Sequence, residues 1–105
     1  MITIDDFKKV EITVGEIRSA ERVPDTDKLL KLEVDFGADK RQVISGIAEY
    51  FPDPSALVGK RCPFVTNLEP RTIRGLESQA MILATGEGET FALFETAGAA
   101  GARVR

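Results

Sequence analysis

Apolar and polar side chains alternate over two stretches of this chain, and a period of two is the pattern of a half-buried β-strand. Residues 10–14 run Val-Glu-Ile-Thr-Val, and residues 30–36 run Leu-Lys-Leu-Glu-Val-Asp-Phe. The first apolar series continues at Ile17 and Val23 in a shifted phase. We therefore predict one long strand that bends or bulges at Gly15, followed by a second strand.

The rest of the chain adds shorter elements around these two strands. Thr3, followed three positions later by Asp6, resembles a capping box and predicts a short N-terminal helix. We expect an irregular, partly helical connection over 47–59 and a polar loop over 69–78. Further strands are predicted over residues 42–45, 61–68, 80–85 and 91–94.

Five or six short strands without regular helix–strand alternation indicate an all-β fold, and most simply a small β-barrel. A helical insert between the third and fourth strands is the arrangement of an OB-fold, the five-stranded Greek-key barrel. The sequence therefore predicts an OB-fold barrel with a short helical insert and short terminal extensions. At 105 residues, we expect a single domain.

Composition limits the chemistry of such a domain. The chain has no His and one Cys, Cys62, which excludes an imidazole base, a His metal ligand and an internal disulfide. The best carboxylate pair, Asp25 and Asp27, lies in turn sequence without a nucleophile beside it. We therefore expect no enzyme activity, catalytic residue, metal or cofactor. The unpaired thiol and the lack of a signal peptide or membrane helix predict a cytoplasmic protein without a membrane partner.

The charge is acidic overall but uneven along the chain. A formal net charge of −3 argues against indiscriminate nucleic-acid binding, which depends on Lys and Arg. Residues 60–75 nevertheless hold four basic residues against Glu69 alone. Arg71 and Arg74 lie between Pro70 and Gly75, so a rigid backbone can hold two guanidinium groups at fixed positions for phosphates. Ordinary surface solvation is the alternative interpretation, whereas a basic patch in an acidic chain favours shape-selective recognition of folded RNA.

Three motifs occur together and in order, and they carry a resemblance to a known family. They are DKLLKL at 27–32, ISGIA at 44–48 and NLEPRTIRGLESQAMILA at 67–84. With the segments between them, residues 4–95 resemble the tRNA-binding domain. This OB-fold module is found at the C-terminus of many methionyl-tRNA synthetases, as a free-standing bacterial tRNA-binding protein and in cytokine-like synthetase cofactors. The resemblance implies one tRNA-binding domain over residues 1–105, with a core at about 4–95 and a C-terminal tail at 96–105.

The resemblance also implies a function and a set of site residues. It implies non-catalytic, structure-specific binding to the outside of the tRNA L-shape, without reading of base sequence. From the residues alone, Asn67 can equally cap a turn, Ser78 can equally bond its own loop, and Met81 can belong to the core. Glu69 and Thr72 stand where relatives commonly carry Lys, which predicts weaker and more salt-sensitive binding. The positions matching the family's RNA-binding surface are Lys28, Asn67, Arg71, Arg74, Ser78 and Met81.

Partners follow from the same resemblance. Besides tRNA, it implies a homodimer, in which the small-residue tail is a candidate contact, and it allows an aminoacyl-tRNA synthetase bound in trans. A chaperone-like, peptide-binding dimer related to secretion chaperones of the same superfamily is the alternative function. Whether the chain is free-standing or a synthetase-type appendage stays open at this point.

Overall fold

Nine short strands and one short helix make up the chain in a computed structural model that describes all 105 residues. Short 3₁₀ turns at Ala48–Tyr50 and Pro54–Leu57 form the predicted insert, and another lies at Gly88–Thr90. No helix has the length and hydropathy that a membrane crossing demands. The elements are α1 Ile4–Phe7, β1 Ile12–Arg22, β2 Leu30–Asp35, β3 Lys40–Ser45, β4 Arg61–Val65, β5 Arg71–Ile73, β6 Leu76–Ser78, β7 Met81–Ile82, β8 Ala84–Thr85 and β9 Ala92–Leu93.

A curled antiparallel sheet in the order β3-β2-β1-β4-β7 is the main structure, which confirms the predicted five-stranded OB-type barrel. Strand β1 is long enough to pair with two strands, β2 and β4. Its first part, from Ile12 to Glu16, pairs with β4, and its second part, from Glu16 to Arg22, pairs with β2. One strand therefore carries the sheet around the bend.

A bend or bulge is predicted at Gly15, and the bulge lies slightly further along the strand. The register between β1 and β2 shifts between Ile17 and Ser19. Gly15 is required for close packing, because a Cβ at this position would lie 2.7 Å from Cε1 of Phe36. The glycine therefore makes room for the β2 side of the core, whereas the shifted apolar phase seen in the sequence belongs to the bulge that follows it.

Polar contacts join β3 to the segments that follow β4 and β6. The backbone N–H of Gln79 donates to the carbonyl of Gln42 on β3 at 2.8 Å, and the N–H of Gln42 donates to Oε1 of Gln79 at 2.9 Å. Arg41, next to it, donates from Nη1 to the carbonyl of Thr66 at 2.7 Å. These bonds hold the segment after β6 against β3.

Thirteen buried apolar residues, drawn from β1–β4, β7 and the insert, form the core. The rings of Phe36 and Phe64 meet edge to face at a centroid distance of 5.3 Å. Cys62 is fully buried among them, and burial raises the pKa of its thiol to about 11. The predicted alternation of β2 is confirmed, since Leu30, Leu32 and Val34 are all fully buried.

The N-terminal helix and the C-terminal tail both lie next to the first part of β1. The capping box is confirmed, with Asp6 N donating to Thr3 Oγ1 at 3.2 Å and Thr3 N donating to Asp6 Oδ2 at 3.2 Å. No residue of α1 is buried. The C-terminal tail hydrogen-bonds to the free edge of β1, where Gly101 N donates to Val14 O at 2.8 Å and Val14 N donates to Ala102 O at 2.9 Å. The tail thus covers the part of β1 that β2 leaves unpaired.

Candidate nucleic-acid interface

The segment 69–78, expected to be a loop, contains a β-hairpin instead. Strands β5 and β6 pair antiparallel, with Ile73 opposite Leu76. The two connecting residues, Arg74 and Gly75, have φ angles of 53° and 78°. Positive φ at both central positions is the signature of a type I′ turn, whose twist matches that of paired strands. Arg74 therefore sits at the tip of a tight hairpin, in a left-handed conformation that a non-glycine residue seldom adopts.

The hairpin tip faces the loop between β1 and β2 across an open cleft. Arg74 and Ile73 form one wall, and the loop from Asp25 to Leu29 forms the other. Lys28 belongs to this second wall, so the fold brings two of the predicted site residues together. Asp25 stands on the same wall with a φ of 63°.

The four cations of the basic segment differ in their availability. Lys60 Nζ lies 3.1 Å from Glu95 Oε1, and Arg61 Nε lies 3.0 Å from Glu16 Oε1. Arg71 and Arg74 are exposed and form no ion pair or side-chain hydrogen bond with the rest of the chain. The positive charge that the sequence assigns to residues 60–75 is therefore free only on the hairpin.

Lys28 is largely available as well. Its ammonium lies 3.9 Å from Glu49 Oε1, and the two side chains are 74% and 56% exposed. A pair so exposed and so long contributes little and is easily exchanged for a phosphate. The neighbouring Lys31 is held more closely, with Nζ 2.9 Å from Glu21 Oε1.

Asn67 uses its side-chain amide within the chain. Its Oδ1 accepts from the N–H of Glu11 at 2.8 Å, and its Nδ2 donates to the carbonyl of Lys9 at 2.7 Å. These bonds tie the end of β4 to the start of β1. The side chain therefore caps the turn before β1, as the alternative interpretation of Asn67 predicts, although it stays exposed.

Ser78 is the one buried polar residue, at 7% exposure. Its Oγ accepts from the N–H of Ile44 at 3.0 Å and donates to the carbonyl of Ala80 at 3.1 Å. The hydroxyl therefore links β6 to β3, and a contact with RNA would break these bonds. Met81 is 47% exposed, so the structure does not place it in the core.

A small apolar crevice lies beside the hairpin and brings Arg71, Ser78 and Met81 together. Its volume is about 80 Å³. Leu68 and Ile73 also line it. The sequence does not predict them as site residues, because an isolated apolar residue in a polar segment carries no periodic signal. Ile73 lines both the crevice and the cleft of Lys28 and Arg74, so the two depressions are neighbours. The other lining residues are Ile44, Ser45, Glu69, Ala80 and Ile82.

The arrangement offers anion binding and apolar contact. No three or more His, Cys, Asp or Glu side chains come together in a way that could hold a metal ion. Three available cations on two neighbouring segments, next to an apolar crevice, are suited to a ligand that carries both phosphates and rings.

Sequence comparison finds close relatives of this chain. The family model described as a putative tRNA-binding domain matches residues 12–102. The methionine–tRNA ligase of Halalkalibacterium halodurans is 52% identical over 98 residues, 93% of this chain and 15% of the ligase. That of Thermotoga maritima is 46% identical over 97 residues, 92% of this chain and 15% of the ligase. The chain thus spans about 15% of the length of these relatives.

Solved structures agree in fold. A methionyl-tRNA-synthetase-related protein from Pyrococcus horikoshii has a TM-score of 0.91 and 38% identity, with 100% of this chain and 98% of that chain covered. The CsaA chaperone protein of Picrophilus torridus has a TM-score of 0.89 and 27% identity, with 100% of both chains covered. The ligase relatives are thus nearer in sequence than this chaperone. Since the family model matches most of its length and the ligases are about half identical to it, the chain belongs to the putative tRNA-binding domain family.

Proposed function

We propose that this chain binds tRNA, without catalysing a reaction, through the face formed by the β5–β6 hairpin and the β1–β2 loop. The observation that carries the proposal is the unpaired state of Arg71 and Arg74 on one β-hairpin, with Lys28 across the cleft. Membership of the putative tRNA-binding domain family supports it. Asn67 and Ser78 serve this face indirectly, by holding the strands that present it.

Charge supports binding of a folded RNA by shape. The chain is acidic overall, at −3, so a polyanion that docks elsewhere on its surface is repelled. Phe36 and Phe64, which could stack on bases, are buried in the core. Three phosphate contacts, from Lys28, Arg71 and Arg74, predict a slope of about −2 to −3 for log K against log salt concentration.

Filter binding of a tRNA to the wild type and to Arg74→Glu tests the proposal. We expect the reversal of charge to weaken binding at least about tenfold and to flatten the salt slope by about 1. Lys40→Glu is the matched control, because it changes the net charge equally and Lys40 lies at the opposite end of β2 from Lys28. Equal losses in both variants, or equal affinity of the wild type for an unstructured oligonucleotide, would contradict recognition by this face.

The same module can serve a synthetase. Attached to a methionine–tRNA ligase, or bound to one in trans, it would raise the local concentration of tRNA beside the catalytic unit. The homology to a segment of these ligases supports this role.

A homodimer is part of the proposal. The helix α1 buries none of its residues, and short helices are unstable in water without packing. Ile4 is 66% exposed and lies with Val10 and Val104 around one apolar groove. A second copy would cover this surface. We expect sedimentation to give a dimer at micromolar concentration and Ile4→Glu to give a folded monomer, whereas a monomeric wild type would contradict the proposal.

Peptide binding is the second candidate, because the CsaA chaperone protein of Picrophilus torridus shares the fold at 27% identity. Titration of the wild type with a denatured polypeptide and with tRNA separates the two functions. Binding of the polypeptide but not of tRNA would reverse their order.

A further inference from the structure

The apolar crevice beside the hairpin is suited to one part of a tRNA that the cleft of Lys28 and Arg74 cannot bind. We propose that this crevice takes the base of one unpaired nucleotide of the bound tRNA, while Arg71 binds the phosphate of the same nucleotide. The inference rests on the proposed tRNA binding and adds an anchoring subsite to it.

The size and walls of the crevice suit a single ring. Its volume of about 80 Å³ is far below the ~300–1,000 Å³ of a pocket for a drug-sized molecule. The buried side chains of Ile44, Ala80 and Ile82 contribute to its lining. Met81 and Leu68, which also line it, are 47% and 49% exposed. Together with the buried lining, these two side chains offer an apolar surface that a base could cover.

Polar groups at the crevice match the two ends of a nucleotide. Arg71 lines the crevice and has no partner in the chain, so its guanidinium is available to a phosphate. The carboxylate of Glu69 belongs to the same lining and can accept from an exocyclic amino group of a base. This gives Glu69 a use at a position where a carboxylate otherwise repels RNA.

The neighbouring cleft favours a nucleotide over a peptide side chain. Ile73 lines both the crevice and the cleft of Lys28 and Arg74, so the phosphates next to the one on Arg71 would lie near two further cations. An apolar peptide side chain would fill the crevice but would leave all three cations without an anion. Unpaired bases of RNA can be splayed out in this way, whereas bases inside a duplex cannot.

Neutral substitutions at the mouth of the crevice test the subsite without changing the charge. We expect Met81→Ser to weaken tRNA binding about tenfold while leaving the salt slope unchanged, because a base contact is lost and no phosphate contact is. Met81→Leu should restore most of the affinity. Val58→Ser is the control, since Val58 is 49% exposed and lies outside the crevice.

Chemical probing of the RNA supplies the second readout. In the wild-type complex we expect dimethyl sulfate protection of at least one unpaired base, and we expect Met81→Ser to lose it. A blunt RNA duplex without unpaired nucleotides should bind wild type and Met81→Ser equally. Absence of any such protected base, or equal tRNA affinity and protection in both proteins, overturns the subsite while leaving tRNA binding intact.

Failure of the proposed function has a different signature. If the wild type retains no tRNA on the filter at any salt concentration, both the function and the subsite are overturned. If the wild type instead binds a denatured polypeptide and Met81→Ser weakens that binding, the crevice takes a peptide side chain and the nucleotide subsite is wrong.

Discussion

Lys28 and Arg74 line one cleft, although the first belongs to the loop before β2 and the second to the tip of the β5–β6 hairpin. Neither cation is held firmly by a carboxylate of the chain. Arg74 forms no ion pair, and the ammonium of Lys28 lies 3.9 Å from Glu49 Oε1. Both cations are therefore available to a phosphate, although Asp25 and Asp27 line the same cleft.

A substitution at the hairpin tip should affect stability and tRNA binding in different ways. We expect Arg74→Gly to leave the free energy of unfolding unchanged or to raise it by up to about 1 kcal/mol, because glycine adopts positive φ without strain. The same variant should bind tRNA about tenfold more weakly, since a cation is lost. Thermal unfolding and filter binding measure the two effects.

Gly75→Ala is the control for that experiment, with the opposite expected effect on stability. It keeps both arginines but places a side chain at φ 78°, so we expect a loss of about 1 kcal/mol in stability. If Arg74→Gly lowers stability and leaves tRNA affinity intact, the role given to Arg74 is wrong.

The Ser78 hydroxyl should matter chiefly for stability. In Ser78→Ala the buried N–H of Ile44 loses its acceptor, and we expect the free energy of unfolding to fall by about 1–3 kcal/mol. Ser45→Ala is the matched control on the neighbouring strand, because the Ser45 hydroxyl forms no hydrogen bond and its loss should cost less than about 0.5 kcal/mol. Urea unfolding measures both. An intact stability with weakened tRNA binding would show that the hydroxyl contacts RNA directly.

The C-terminal tail should depend on Gly101. A Cβ there would lie 2.6 Å from the carbonyl oxygen of Phe36, and φ is 91°. Gly59 has the same φ of 91° with open space around it, so Gly59→Ala carries the backbone strain alone. We expect Gly101→Ala to be the more destabilising, by about 1–3 kcal/mol beyond the control. Faster hydrogen exchange at the Val14 amide, whose acceptor is in the tail, would locate the effect.

The Cys62 thiol makes stability depend on alkaline pH. Burial raises its pKa from 9.0 to about 11, so the folded chain keeps a proton that the unfolded chain loses. This contribution is fully present below pH 9 and is lost as the pH rises towards about 11. Unfolding of the wild type and of Cys62→Ala, measured from pH 8 upward, should show a steeper decline in the wild type. Parallel declines would contradict the assignment.

Some structure follows from residues that are close together in sequence. The capping box of Thr3 and Asp6 and the alternation of β2 depend on neighbours within a few positions, and both are confirmed. The segment 69–78 was predicted as a loop because its strands have three residues each, too few for a periodic pattern. Only the pair Arg74-Gly75 carried a turn signal there, and a non-glycine residue at positive φ is hard to anticipate.

The sequence by itself determined the fold class, the family and the choice of Lys28, Arg71 and Arg74 as cations of interest, because alternation, motif order and residue type are local properties. Only the tertiary structure decided which cations stay unpaired. Lys60 pairs with Glu95 and Arg61 with Glu16, and the pairing of β1 with β4 sets Glu16 opposite Arg61. The same long-range packing engaged the side chains of Asn67 and Ser78 in hydrogen bonds within the chain and left Met81 outside the core, since the contacts that a side chain makes depend on which strands the fold brings beside it.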